Sequence, residues 1–253
     1  MIKKILRPIY WGIYRKSHNF SEYNPVFIVG CGHSGTTLIL RILAEHKNLH
    51  VIDYESDIFN KGVTRYKLIK ELEKKRKLYN KLYWVEKTPS HVNYLEKIFN
   101  LLPRAKIIYM IRDGRDVAIS MKKRFNNVNT GIERWIRDNK NGYKYINDSR
   151  VLTMKLEEFV KNPKEHVKKI TNHLSISYSD NLLNYHQKKF NYQNQSIEKT
   201  DGKGENHQKN RNWQVNQPIF KNTERWKNEA TPEDIKMFKD SEFMKLLKEF
   251  KYL

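Results

Sequence analysis

The chain has 253 residues, 38% of them hydrophobic, 12% aromatic and 30% charged. That length suits one large domain or one domain with appendages, and the apolar residues fall in dense runs, which excludes wholesale disorder. Ten glycines and seven prolines exclude a collagen-like or low-complexity polymer, and the one cysteine, Cys31, excludes an intrachain disulfide or a cysteine-based metal cluster. Lys and Arg total 49 against 28 Asp and Glu, a formal charge of +21, which suits polyanionic partners or reflects a Lys-rich composition alone.

Residues 1–24 read as a basic strap. In MIKKILRPIYWGIYRKSH, Ile2, Ile5, Leu6, Ile9 and Ile13 take helical spacing among Lys3, Lys4, Arg7, Arg15 and Lys16. Pro8 interrupts that helix, so the strap is expected to pack on the core, with peripheral membrane contact through residues 1–16 as the alternative. No run is apolar for the ~18 residues a spanning helix needs, and the expected location is cytoplasmic. PVFIV (25–29) predicts a buried strand, GCGHSGTT (30–37) a glycine-bearing turn and residues 38–45 a helix. Residues 68–82 predict a solvated Lys/Glu-rich helix, 83–85 a short strand leading into Glu86-Lys87-Thr88-Pro89, and 92–102 a helix. KIIYMI (106–111) is the strongest strand signal and runs into RDGRD, with a helix from about Val117. A short strand at 151–154 and a helix over 164–174, Pro163 at its start, follow. Residues 187–223 are polar and read as a lid-like loop. Thr231-Pro232-Glu233-Asp234 starts a last helix that is expected to turn Ile235, Phe238, Phe243, Leu246, Leu247 and Phe250 to the core. Apolar strands alternating with helices predict an α/β fold with a central, mainly parallel sheet flanked by helices, in one domain over 25–253.

Two motifs carry chemistry. Gly30-x4-Gly35-Thr36-Thr37 has phosphate-loop spacing: turn amides and a helix N-terminus converge on one spot, with Thr36 and Thr37 adding hydroxyls. A nucleotide triphosphate loop would carry Lys after its second Gly; Thr36 stands there instead, which argues for a different phosphate-bearing ligand. The plain alternative is a tight strand–helix turn. Arg112 follows the second strong strand, so a parallel sheet brings it to the same edge as the glycine turn. Ser120 and Arg124 follow Asp116 at four-residue steps, and with Arg112 they could receive a phosphate dianion; ion pairs with the nearby aspartates are the alternative. His46 and His50 stand four apart but lack a third ligand, so no metal site is expected.

GCGHSGTTLILRIL resembles the 5′-phosphosulfate loop of sulfotransferases that use PAPS (3′-phosphoadenosine 5′-phosphosulfate), and YMIRDGRDVAISMKKRF resembles their 3′-phosphate motif. EKTPSH and TERWKNEATPED are similar to the bacterial and tyrosylprotein-type branch. The resemblance implies a fold related to the P-loop kinases, with PAPS as donor, PAP as product and no metal. Ser34, Gly35, Thr36 and Thr37 would hold the 5′-phosphosulfate, and Arg112, Ser120 and Arg124 the 3′-phosphate. Lys87 matches a lysine that stabilises the transferring group. Glu55 matches the catalytic acid, with Asp53 a close rival. Arg225-Trp226 match a late basic–Trp element, and the polar loop before it would close over the nucleotide. His33 departs from the family, which has Lys or Arg before Ser-Gly-Thr-Thr. It would donate a hydrogen bond to the bridging oxygen, or carry charge if its pKa is held up.

The function so implied is transfer of the sulfuryl group to a hydroxyl or amine acceptor, with a carboxylate as general base. A saccharide or glycolipid acceptor suits the basic surface, and no nucleic acid is expected. The competing readings are a P-loop kinase or NTPase and a non-enzymatic polyanion-binding protein.

Overall fold

The computed structural model describes residues 19–60, 62–204 and 206–253, so most of the basic strap, residues 1–18, lies outside the described residues. β1 (Pro25–Gly30) is buried at all six positions and leads through the glycine turn to α1 (Thr36–Leu43). Next come β2 (Leu49–Val51), the small hairpin β3 (Phe59–Asn60) and β4 (Val63–Thr64), α2 (Tyr66–Leu78) and β5 (Tyr83–Lys87). A 3-10 segment, Pro89–Tyr94, and α3 (Leu95–Leu101) precede β6 (Lys106–Ile111), α4 (Gly114–Phe125) and α5 (Val128–Tyr143). The chain continues through β7 (Val151–Lys155), α6 (Leu156–Lys161) and α7 (Pro163–Leu174). It closes with α8 (Asn206–Val215), α9 (Trp226–Glu229), α10 (Pro232–Met237) and α11 (Ser241–Glu249). Among the described residues no helix is long and apolar enough to cross a membrane.

The main sheet has the order β2-β5-β1-β6-β7, and every neighbouring pair is parallel. Alternation along β1 splits the core in two. Phe27 and Val29 face Trp84, Tyr109 and Trp135, whereas Val26 and Ile28 face α1 and α7 through Ile39, Leu43, Val167 and Ile170. Burial on both faces explains why these strands read as continuous apolar runs. From β1 the chain builds outward to β2 and β5, then crosses to β6 and β7 on the other side. The turns after β1 and β6 therefore part at the C-terminal edge and open a crevice between them.

Several sequence expectations needed correction. α4 starts at Gly114, not near Val117, because Asp113 caps it by accepting from the Arg115 amide at 2.9 Å. α5 was not expected: its buried face mixes Ile132 and Trp135 with Asp138 and Asn139, which breaks the apolar period. Gly131 lets α5 lie against α4, since a Cβ there would come 2.6 Å from the Ala118 Cα. Residues 187–223 are not simply a loop, because α8 forms within them. Asn212 bonds the Tyr192 amide (2.9 Å) and the Tyr192 carbonyl (2.9 Å), and Asn216 does the same for Phe190 (2.8 and 2.9 Å). The final helix is two, capped by Thr231 and by Asp240, and Ile235 is exposed rather than turned to the core. Both ring nitrogens of His46 are taken by backbone groups, Ser177 O at 2.9 Å and Asn48 N at 3.1 Å.

Gly30 ends β1 with φ 148°, and a Cβ there would lie 2.2 Å from the Met110 carbonyl oxygen. Gly30→Ala is expected to destabilise the fold by about 2 kcal/mol or more, read from the denaturant midpoint.

Candidate functional site

The glycine turn leaves the centre of the sheet. Gly35 takes a left-handed φ of 83° and no side chain caps α1, so the first amides of that helix keep their donor capacity where Thr36 and Thr37 line a cavity. His33 is also left-handed, φ 68°. The Ser34 hydroxyl is buried nearby without a hydrogen-bond partner among the described residues.

The same cavity is also lined by Arg112, Ser120, Lys123, Asn222, Thr223 and Arg225. Arg112 donates to the His33 carbonyl at 3.0 Å, which ties the two motifs together directly. It also pairs with Asp116 at 3.2 Å and donates to the Asn222 carbonyl, while its Nε is buried without a partner. Asp116 in turn accepts from the backbone amides of Glu224 (2.8 Å) and Trp226 (3.0 Å). The RDGRD motif thus anchors the returning segment that brings Arg225 to the cavity, where Arg225 pairs with Glu229 at 2.8 Å. Arg115 is taken up by Asp113 at 2.7 Å and stacks over Trp226, 4.1 Å from the ring centre. Arg124 lines an adjoining groove with Lys122, Lys203 and Glu229, over the Phe125 ring; Lys123 is shared between groove and cavity, and the Arg124 charge is felt by His207 and Arg211. Arg112 and Ser120 line the cavity itself, and Arg124 lies beside it.

A third group sits where β5 ends. Lys87 is fully buried; its Nζ lies 2.6 Å from Glu55 Oε1 and 4.6 Å from the centre of the Tyr192 ring. Burial pulls its pKa down to about 8 against the opposing pull of Glu55. Burial raises the Glu55 carboxyl, but Lys87 and Arg211, at 3.3 Å, outweigh it and the pKa ends below the ordinary value. Both groups are therefore charged at neutral pH. Asp53, the rival for this place, is exposed.

Glu86 supports this pair from the other face of β5. It is fully buried and accepts from the Ser56 amide (3.2 Å), the Ser56 hydroxyl (2.8 Å), the Thr88 hydroxyl and His91 (3.0 Å). Burial raises its pKa, but His91, Thr88 and Ser56 outweigh that, so the carboxylate is ionised. Residues 55–56 are clipped onto 86–87 by two charged side chains.

His33 does not carry the charge that a raised pKa would give it. Burial and then Arg211, His207, Arg112 and Arg134 lower its pKa well below the ordinary value, so the imidazole is neutral. His207 packs edge-on against it, ring centres 5.2 Å apart, with its own pKa lowered to about 3 by burial, Arg211 and Arg124. His207 and Arg211 line the cavity and escaped the sequence reading because they belong to α8. Their four-residue spacing was the available signal, since it puts both on one helix face.

Residues 63–180 match the sequence profile of the Sulfotransferase family. A Caenorhabditis briggsae protein named "Putative protein-tyrosine sulfotransferase" is 27% identical over 202 residues, covering 67% of this chain and 71% of its own. In fold, the chain is similar to the sulfotransferase domain of the Synechococcus PCC 7002 olefin synthase, with TM-score 0.63, 17% identity and coverage of 93% of this chain and 98% of that one. The sulfotransferase domain from the curacin biosynthetic pathway matches at TM-score 0.63 and 17% identity over 91% and 98%. A mouse sulfotransferase complexed with PAP matches at TM-score 0.57 and 19% identity over 91% and 88%.

Two predictions follow from the charges at β5. Glu86→Gln leaves the donors around it short of an ionised acceptor and is expected to cost roughly 3 kcal/mol in denaturant unfolding. Unfolded Lys87 keeps its proton up to the ordinary lysine value of about 10.4, above its folded value of about 8. Stability is therefore expected to gain a contribution from Lys87 as pH rises between those values, and Lys87→Met should remove that part of the pH slope of the unfolding free energy.

Proposed function

We propose that this chain is a sulfotransferase that moves the sulfuryl group of PAPS to a hydroxyl or amine acceptor. The observation that carries the reading is the single cavity lined both by the uncapped helix N-terminus at Thr36 and Thr37 and by Arg112, Ser120 and Arg225. A nucleotide carrying more than one anionic group suits that set of donors. The Ser34 hydroxyl and Arg112 Nε, one in each motif, are buried donors without a partner among the described residues, and bound anions would satisfy them. Thr36, where a triphosphate loop needs Lys, weighs against an ATP or GTP reading.

Ser34, Gly35, Thr36 and Thr37 would hold the 5′-phosphosulfate, and Arg112, Ser120 and Arg124 the 3′-phosphate, with Arg225 beside them. In the transfer, the acceptor oxygen or nitrogen bonds to sulfur as the bond from sulfur to the phosphate oxygen breaks, and the electron pair leaves with PAP. Glu55 takes the acceptor proton as general base. Lys87 supplies the positive charge that stabilises the leaving oxygen. His33, neutral, serves as a hydrogen-bond donor, and Arg211 provides the second cation beside Glu55. The lowered pKa of Glu55 keeps it ionised and ready, and approach of an acceptor would compete with Lys87 and Arg211 for its oxygens.

Calorimetry with PAP tests the cavity; absence of binding at near-millimolar ligand would overturn the reading. Labelled PAPS screened against saccharide, glycolipid, peptide and phenol acceptors tests the transfer. Glu55→Gln is expected to keep PAP affinity and lose roughly 10²–10⁴-fold in rate, and Lys87→Met to lose roughly 10²–10³-fold. The wild-type rate is expected to fall as pH rises through about 8, where Lys87 loses its proton.

A further inference from the structure

The end of α2 presents a cluster that the transfer site does not use. Leu78 is 71% exposed, Tyr79 53% and Leu82 47%, three large apolar side chains within five positions. Around them Lys74, Lys75 and Lys77 are exposed and make no ion pair among the described residues, whereas Arg76 is spent on Glu73 at 2.6 Å. Lys47 is exposed beside them, its carbonyl accepting from the Lys81 ammonium. Tyr79 is steadied by the His50 ring, 5.4 Å between centres, so the patch is held by the fold rather than trailing from it.

Its place in the sheet gives it meaning. Leu82 leads into β5 and donates its amide to the Asn48 carbonyl at 2.8 Å, just before β2. The Trp84 amide bonds the Asn24 carbonyl at 3.3 Å, just before β1. In a parallel sheet these starts share one edge. The patch and the point where residues 1–18 join the fold are therefore on the edge opposite the cavity, which lies at the C-terminal ends of β1 and β6. The joining sequence, MIKKILRPIYWGIYRKSH, has the same chemistry as the patch: aliphatic and aromatic side chains among Lys and Arg.

We infer that this edge docks on an anionic lipid surface. Apolar side chains projecting from a rim of unpaired lysines match a headgroup layer that is negative outside and apolar beneath, and long lysine stems let the charge stay at the headgroups while Leu78 and Leu82 enter. A protein partner would place less demand on unneutralised lysines, because charged groups are depleted at the centre of protein interfaces. Docked this way, the cavity faces away from the membrane. The inference does not depend on the transfer reaction.

The test is co-sedimentation of the full chain with vesicles of phosphatidylcholine alone and of phosphatidylcholine mixed with phosphatidylglycerol, at low and raised salt. Partition onto the mixed vesicles is expected to exceed that onto the neutral ones by about tenfold or more and to weaken with salt. The variants Leu78→Ser/Tyr79→Ser/Leu82→Ser and Lys74→Glu/Lys75→Glu/Lys77→Glu are each expected to lose about tenfold or more at an unchanged melting temperature. Equal partition onto neutral vesicles overturns the inference, as does absence of vesicle binding, or wild-type partition by either variant, which would assign the binding to residues 1–18 alone. Self-association abolished by the apolar variant, without vesicle binding, would make the edge a protein interface instead.

Discussion

Two charged residues stand side by side at the buried end of β5, and the site depends on how they are neutralised. Adjacent residues of a strand point to opposite faces, so Glu86 and Lys87 cannot pair with each other in the sheet. Each is removed from water and would be strongly destabilising alone. The segment at 55–56 answers both needs, Glu55 meeting Lys87 and Ser56 meeting Glu86. Because Ser56 and Glu55 are neighbours in the chain, the structural bond and the chemical one fix each other. The carboxylate read here as the base is held by the same contacts that make burial of the lysine tolerable.

A similar economy governs Arg112. Asp116 does not merely neutralise Arg112; it also binds the amides of Glu224 and Trp226. Arg112 reaches both the turn after β1 and the carbonyl of Asn222. One short motif after β6 therefore joins the glycine turn, its own helix and a segment more than a hundred residues later. The two readings of the motif, anion receptor and ion pair, are not exclusive. The ion pair orients a guanidinium that still has a buried nitrogen without a partner.

The frame was legible because its signals are local. The unbroken apolar strands, the glycines that need left-handed backbone and the Thr-Pro-Glu-Asp cap announce themselves within a few residues. Gly35 and Arg112 could be placed on one edge from strand order alone. What escaped depends on distant partners. Glu55 and Asp53 differ only in which reaches Lys87, and that is decided by Ser56 folding onto Glu86. α5 carries buried Asp138 and Asn139, which hide its period. The neutral state of His33 arises from its burial together with Arg211 and His207, which no pattern near residue 33 reveals.

The asparagines that organise the stretch before α9 give it a distinct thermodynamic character. Asn212 and Asn216 fasten α8 through bonds to the backbone of Phe190 and Tyr192, and of the helix's own apolar side chains Val215 is the buried one. Detaching such an element exposes mainly polar groups, so it carries a small heat-capacity change and a shallow response to urea. Amides of α8 would then exchange with solvent through openings that ignore denaturant, while those of β1 and β6 exchange only when the whole molecule comes apart.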